Sequence, residues 1–386
     1  MNEHDFDLII VGAGPAGASA AFTARRLGLS VAMLDKAVFP RNKLCGALLS
    51  GRSLKALDAI FGERPSRDMF LISRQAMFSW QGEPLVHFET PYDLWFTMRH
   101  DFDHDLCKRA LQAGAVDFTG RRWKELDPKG VLTLDDGQVL RFKSLIAADG
   151  VTSPVAAHLF GRAFDPDKIG FALECEISRD ESTQNVMQVD FHGMNWGYGW
   201  SFPKHKTLTI GVGGVHAENP DIRDAIEALL DDPDSAKIKG AFLPFGDYRR
   251  HSGQGNILFA GDAAGLVDPL TGEGIAYAME SGDMAARALA EALNKGKPDG
   301  AGRAYMKMLK PIHSDLSRAN KLRHFAFSKR FEGVFRDRLQ NSVSLRQAFF
   351  DLLEGETTYR EIEKKAARGV LKKFAKGVGL GPIHDR

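Results

Sequence analysis

The feature that most constrains this chain is a glycine turn set directly behind a short apolar run. Phe6 to Gly12 reads FDLIIVG, and Gly12-Ala13-Gly14-Pro15-Ala16-Gly17 follows the spacing G-x-G-x-x-G before an alanine-rich, helix-periodic stretch to Gly28. Strand, tight turn and helix in that order let the backbone approach a pyrophosphate, with free N–H groups and the positive end of the helix dipole facing it. Ser30 to Asp35 (SVAMLD) reads as a second parallel strand. Asp35, 18 residues past Gly17 and followed by Lys36, is placed to accept hydrogen bonds from ribose hydroxyls. An ordinary glycine turn would not need this strand–turn–helix context, so a dinucleotide-binding unit is expected at the start of the chain.

Farther along, the pattern changes type repeatedly. Residues 36 to 66 read as a loop and a helix, and Met69 to Phe88 reads as an antiparallel hairpin around Gln81-Gly82. Arg99 to Gly114 is helical, Val131 to Leu140 is a hairpin around Asp136-Gly137, and Ser144 to Asp149 is a buried strand. Gly170 to Val215 holds several β-like runs, Asn256 to Ala260 (NILFA) is a further buried strand, a long helix spans about Gly272 to Leu293, and 300 to 386 reads as helical. At 386 residues the chain exceeds one hydrophobic core. The order implies an α/β chain, α+β overall: a Rossmann-like cofactor domain from 1–66, 94–160 and 250–310, an inserted antiparallel-sheet substrate domain from 67–93 and 161–249, and a helical region from 311–386.

Composition removes several function classes. Lys+Arg 51 against Asp+Glu 50 leaves no global field to attract nucleic acid, so no nucleic-acid partner is expected. Cys45, Cys107 and Cys175 are too few and too widely spaced for a disulfide framework or a Cys-x-x-Cys metal site, and no metal is expected. The polar, acidic N-terminus and the lack of an apolar run near the roughly 20 residues that span a bilayer fit the reducing cytoplasm.

Two further stretches complete a flavin site. Gly261-Asp262-Ala263-Ala264-Gly265 follows a buried strand and precedes Asp268-Pro269-Leu270-Thr271-Gly272-Glu273-Gly274 and Ile275 at the head of a helix. Asp262 suits a ribityl hydroxyl. Amides around Leu270 to Gly272 suit the flavin N1/O2 edge, where negative charge develops on reduction. The third piece is Ala147 to Pro154, a strand running into the Asp149-Gly150 turn and then a helix; Arg99 in Arg99-x-x-Phe102-Asp103 joins it in the resemblance that follows.

Together these motifs resemble the FAD-dependent superfamily with the aromatic-hydroxylase fold over roughly residues 5 to 295, and within it the geranylgeranyl reductase family. Pro40-Arg41-Asn42-Lys43-Leu44-Cys45-Gly46-Ala47 is similar to that family's P-x-x-K-x-C-G-G, with alanine for the last glycine, and Tyr198-Gly199-Trp200-Ser201-Phe202-Pro203 is similar to its Y-x-W-x-F-P. The family usually has Asn where Asp268 stands. The resemblance implies FAD as cofactor, with Gly12, Gly14, Ala16, Gly17, Asp35, Lys36, Cys45, Gly46, Ala47, Arg99, Asp149, Gly150, Asp262, Pro269, Gly272, Glu273, Gly274 and Ile275 around it. It implies Lys43 and Cys45 as catalytic groups, and Tyr198, Trp200, Phe202 and Pro203 around a prenyl lipid or quinone whose double bonds are reduced. Cys45 has a second reading as a small buried hydrophobe, and the aromatic segment a second reading as core packing.

The electron donor stays open between NADPH, NADH and a small redox protein. Gly211-Val212-Gly213-Gly214 lies inside a β-like run and reads as a bulge or a tight packing site, not a second dinucleotide turn. The same fold hosts flavin monooxygenases and halogenases, and a flavin electron carrier without turnover is a third reading. From Ile362 onward Ala366, Val370, Phe374 and Val378 recur among Lys and Arg, a basic amphipathic pattern that suits either an anionic membrane surface on the inner face or docking on the protein itself.

Overall fold

A computed structural model describes residues 3–180, 182–230, 232–233 and 236–365. Its first sheet runs in the order 253–254, 257–259, 139–147, 3–11, 31–35, 116–119. The four pairings from Ile257–Phe259 to Val116–Thr119 are parallel, with Leu8 opposite Val31 and Ser144 on its two sides. Parallel strands buried on both faces read as continuous apolar runs, and Leu8, Ile9 and Ile10 are fully buried. The helices Pro15–Arg26 and Ile275–Asn294 pack together closely enough that a Cβ on Gly282 would lie 2.1 Å from the Ala16 carbonyl oxygen.

The second sheet runs 239–243, 170–178, 207–215, 198–203, 186–191, 71–80, 83–96, 48–49. The expected hairpin is there, with Gln81 and Gly82 both at positive φ, the pair a tight hairpin turn requires. Its second strand runs on to Phe96, past the expected boundary at 93, and Leu48–Leu49 pairs with it from the first lobe. Val186–Phe191 lies parallel to Leu71–Trp80, a pairing across about a hundred residues that no local pattern announces. The strand Trp123–Asp127, antiparallel to Val131–Leu134, was likewise not anticipated.

Beyond residue 300 the chain is helical as far as it is described, but the expected boundary at 311 falls inside one helix, Ala301–Phe327. Pro311 removes one backbone donor, and burial of Leu309, Ile312 and Leu316 against the first lobe holds the helix through it. Helices Glu332–Asn341 and Val343–Glu354 then cover the second sheet, where Phe335 and Phe350 pack on Phe78 and Phe191. Among the described residues no helix is long and apolar enough to cross a membrane. The basic pattern from Ile362 lies, beyond Lys365, outside the described residues.

Candidate active site: a dinucleotide cleft opening into an apolar chamber

The dinucleotide end is built from backbone. Gly12 has φ +106°, and a Cβ there would lie 2.1 Å from Ala148 O, so only glycine fits. Gly12, Gly14 and Ala16 face a cavity of about 980 Å³. Gly17 does not: a Cβ on it would lie 1.7 Å from Gly12 O, so it serves the packing of turn against helix and not the cavity wall. Asp35 accepts from the Ala13 N–H on Oδ2 and from the Ala37 N–H on Oδ1, both at 2.9 Å, which locks the turn while the carboxylate stays on the wall beside Lys36.

Charge at the middle of the cleft is fixed by one buried carboxylate. Arg99 donates from Nε and Nη2 to the two oxygens of Asp103 at 2.6 and 2.8 Å, and Arg41 Nη1 lies 2.9 Å from Oδ2. Burial works to strip the Arg99 proton, and Asp103 together with Cys45 more than reverses this, so the group stays cationic. Arg41 also reaches across the turn, since a Cβ on Gly14 would meet its Nη2 at 3.3 Å. Two guanidinium groups on one carboxylate leave net positive charge at the turn. Arg41 was not foreseen, because no spacing links residue 41 to residue 103.

At the flavin end the strand Ile257–Phe259 runs into the tight turn Gly261–Ala264, and Asp262 lies on the wall. The helix head departs from expectation. It begins at Ile275, and the amides expected to face the flavin are already engaged: Leu270 and Thr271 donate to Asp268 Oδ1 at 2.8 and 3.0 Å, and Gly272 to Asp268 O at 3.0 Å. The donors without intrahelical partners that line the cavity are those of Gly274 and Ile275. Glu273 caps the helix through Ala276 N–H at 2.9 Å, and Pro269 is buried off the wall. Asp149 accepts from Ser153 Oγ at 2.6 Å and Val155 N–H at 3.0 Å, so its carboxylate caps the helix Pro154–Phe160; burial pushes it up to about 6. Asp149 and Gly150 nonetheless line the cavity.

Between these ends lies the loop 43–47. Lys43, Cys45, Gly46 and Ala47 are all on the wall, and Cys45 Sγ accepts from the Ala47 N–H at 3.3 Å with the Arg99 guanidinium in hydrogen-bonding reach. Ala47 sits at φ +48°, in the left-handed region that costs a non-glycine residue roughly 1–2 kcal/mol. This accounts for the glycine that the related motif carries there. Two buried groups from the second sheet grip the loop: Glu174 Oε1 accepts from the Cys45 N–H at 3.1 Å, while Lys204 Nζ donates to Gly46 O and, at 3.3 Å, to Ala47 O. Neither was foreseen: in sequence Glu174 is one acid in a β-like run, and Lys204 opens the polar stretch Lys204-His205-Lys206.

Tyr198, Trp200 and Phe202 alternate along one strand and so share its cavity face, whereas Pro203, one residue on, turns to the other face and is off the wall. The glycines after them pack tightly, as expected: a Cβ on Gly211 would lie 2.2 Å from the Trp200 ring. Phe349 and Leu353, from the helix Val343–Glu354, close the chamber from the C-terminal side and were not anticipated. The wall is divided by origin. Every side chain that the second sheet and the C-terminal helices contribute is apolar or aromatic, and every charged one comes from the first lobe. Among the described residues no group of three or more His, Cys, Asp or Glu side chains is placed to hold a metal ion.

This arrangement fits a flavin adenine dinucleotide: a glycine cradle with adjacent guanidinium groups for the pyrophosphate, Asp35 for the ribose, Asp262 for the ribityl chain and helix-head amides for the ring. Residues 6–155 match the pyridine nucleotide-disulphide oxidoreductase family. The geranylgeranyl diphosphate reductase of Rhodobacter capsulatus is 31% identical over 330 residues, 76% of this chain and 77% of that one. A menaquinone reductase of Mycolicibacterium smegmatis is 30% identical over 314 residues, 72% and 75% of the two chains. A solved structure from Thermoplasma acidophilum, described as geranylgeranyl bacteriochlorophyll reductase-like, superposes with a TM-score of 0.75 over 95% of this chain and all of that one at 21% identity. The chain is an FAD-dependent oxidoreductase and belongs to the geranylgeranyl reductase family.

Proposed function

We propose that the enzyme hydrogenates carbon–carbon double bonds of a prenyl or similarly hydrophobic substrate. The observation that carries this reading is the division of the cavity wall: the charged cleft ends where the second lobe begins, and the chamber beyond offers only apolar and aromatic surface. An unactivated alkene has no charge to grip and is held by buried area, at roughly 25 cal/mol per Å². Trp200, Phe202, Phe349 and Leu353 supply that area and keep water out. Bound FAD, once reduced, supplies a hydride from N5.

The chain's own residues orient the two partners and handle the proton. Gly274 and Ile275 offer N–H groups where charge builds on the reduced ring, and Arg99 and Arg41 hold the dinucleotide end. Cys45 Sγ, on the wall between cleft and chamber, is the group proposed to deliver a proton to the carbon beside the one that receives hydride. Lys43, on the same loop, lines the same cavity. The names of the relatives, which include reductases of geranylgeranyl chains and of menaquinone, support a prenyl lipid or prenylquinone as substrate.

The test is anaerobic incubation of the dithionite-reduced flavoprotein with prenyl lipids and prenylquinones, following mass and flavin spectrum together. Gain of paired hydrogens coupled to flavin reoxidation is the expected result. A flavin that stays reduced until air is admitted would refute the reading and point to oxygen chemistry. Full alkene reduction by Cys45→Ser would remove the proton role from that thiol.

A further inference from the structure

We propose that Glu174 and Lys204 are positioning residues that act as a clamp, setting the loop 43–47 against the flavin ring. They reach the loop from two strands of the second sheet: Glu174 from Gly170–Ser178, and Lys204 from the residue after Tyr198–Pro203. One takes the N–H of Cys45 and the other the carbonyls of Gly46 and Ala47, so backbone groups of three successive residues are held from both sides. Both side chains are buried, at 6% and 3% exposure.

Ionisable groups are a costly way to hold a loop, because each must be stripped of water. Burial pushes Glu174 up to about 7 and Lys204 down to about 8, with Glu176 and Lys43 as the other charged neighbours. Two features show why the loop needs an outside grip. Ala47 holds a left-handed φ that its own side chain disfavours, and such conformations persist only where the surroundings over-determine them. Gly46 lies so close to Phe202 and Trp200 that a Cβ would come within 2.8 and 3.2 Å of them, so a loop that slipped would strike the chamber wall. Glu174 Oε2 is buried and has no hydrogen-bond partner, so its carboxyl is held at the loop by Oε1 alone. The proposal rests on the placement of this loop beside the flavin but not on the identity of the substrate.

The test uses the full-length FAD-loaded protein and needs no substrate. Alkylation of Cys45 by iodoacetamide, read by mass spectrometry, reports the loop; Cys107 and Cys175 are buried at 2% exposure and serve as internal controls. The flavin midpoint potential reports its contact with the ring. In Glu174→Leu and Lys204→Met, Cys45 alkylation is expected to rise roughly tenfold, the equivalent of one lost buried hydrogen bond, and the potential to shift. Glu174→Gln keeps an acceptor for the Cys45 N–H and is expected to restore both readouts. Should Glu174→Leu not accumulate as folded protein, the nearly isosteric Lys204→Met carries the test. Unchanged alkylation in Lys204→Met overturns the clamp, and faster alkylation with an unmoved potential overturns its action on the flavin. Failure of alkene reduction in the wild type leaves both readouts standing.

Discussion

Replacing Tyr359 with Phe tests how the C-terminal segment is tied to the flavin site. The phenol donates to Asp268 Oδ2 at 2.8 Å, and both residues are 3% exposed. Asp268 Oδ1 meanwhile holds the amides of Leu270 and Thr271, so this one carboxylate joins the turn before the flavin helix to a residue about ninety positions downstream. Loss of a hydrogen bond to a charged buried group costs roughly 1.5–3 kcal/mol. At the usual entropy of unfolding per residue, about 2 kcal/mol corresponds to a fall of about 3 °C in the thermal midpoint of a chain this long. The pH dependence has a definite sign. Burial raises Asp268 above its ordinary value, against the pull of Thr271, Leu270 and Tyr359, so its contribution is fully present below the unfolded value and is lost as pH rises through the folded one. Removing the phenol raises the folded value further, so the deficit of Tyr359→Phe is expected to be small in acid and to grow toward neutral pH. Thermal unfolding of the FAD-loaded protein between about pH 5 and about pH 8 measures it. A midpoint equal to that of the wild type throughout, or a deficit larger in acid, would show that the phenol does not support an ionised Asp268. Asp268→Asn is expected to shrink the effect of Tyr359→Phe in a double-mutant cycle.

Other perturbations follow from the same geometry. Ala47→Gly relieves a left-handed alanine, and the gain of about 1 kcal/mol, less what the freer unfolded chain takes back, is expected as a small rise in thermal midpoint; a fall would refute strain at φ +48°. For Glu174, burial as the leading cause lifts the folded value from 4.5 to about 7, so its contribution is present below 4.5 and lost as pH rises through about 7. Glu174→Gln is therefore expected to match the wild type near the lower value and to exceed it above the upper one, by at most about 3 kcal/mol in denaturant unfolding. Leu353→Trp fills the C-terminal end of the chamber and is expected to raise KM for long prenyl chains more than for short ones; equal effects on both would place the chain elsewhere.

The parts of the fold that were legible in the sequence are those whose physics is local. A strand ending at Val11, a turn at Gly12 that only glycine can make and a helix start at Pro15 announce themselves, because steric exclusion acts between neighbours. The hairpin at Gln81-Gly82 is legible for the same reason. What was not legible depends on residues far apart in the chain. Val186–Phe191 lies beside Leu71–Trp80 as its direct neighbour in the second sheet, and nothing in either segment names the other. The motif around Asp268 points its amides at the flavin, but a carboxylate two residues before an amide competes for it, and here the carboxylate wins.

The same distinction explains the missed site residues. Arg41, Glu174 and Lys204 each act on a partner more than sixty positions away, so their roles exist only once the chain is folded, and those of Glu174 and Lys204 only once the two lobes meet. A net charge of +1 also conceals the property that matters most for function. Charge is not scarce in this protein; it is sorted, with the charged wall of the cavity supplied by the dinucleotide lobe and the apolar wall by the inserted sheet and the C-terminal helices. Sorting of that kind lets one cavity bind a polyanionic cofactor at one end and a hydrocarbon at the other, because the desolvation that would weaken the first is the driving force for the second. A charged substitution on the chamber face, such as Trp200→Arg, is accordingly expected to abolish turnover of a hydrophobic substrate while FAD remains bound, and loss of both together would show that the two ends are not separable.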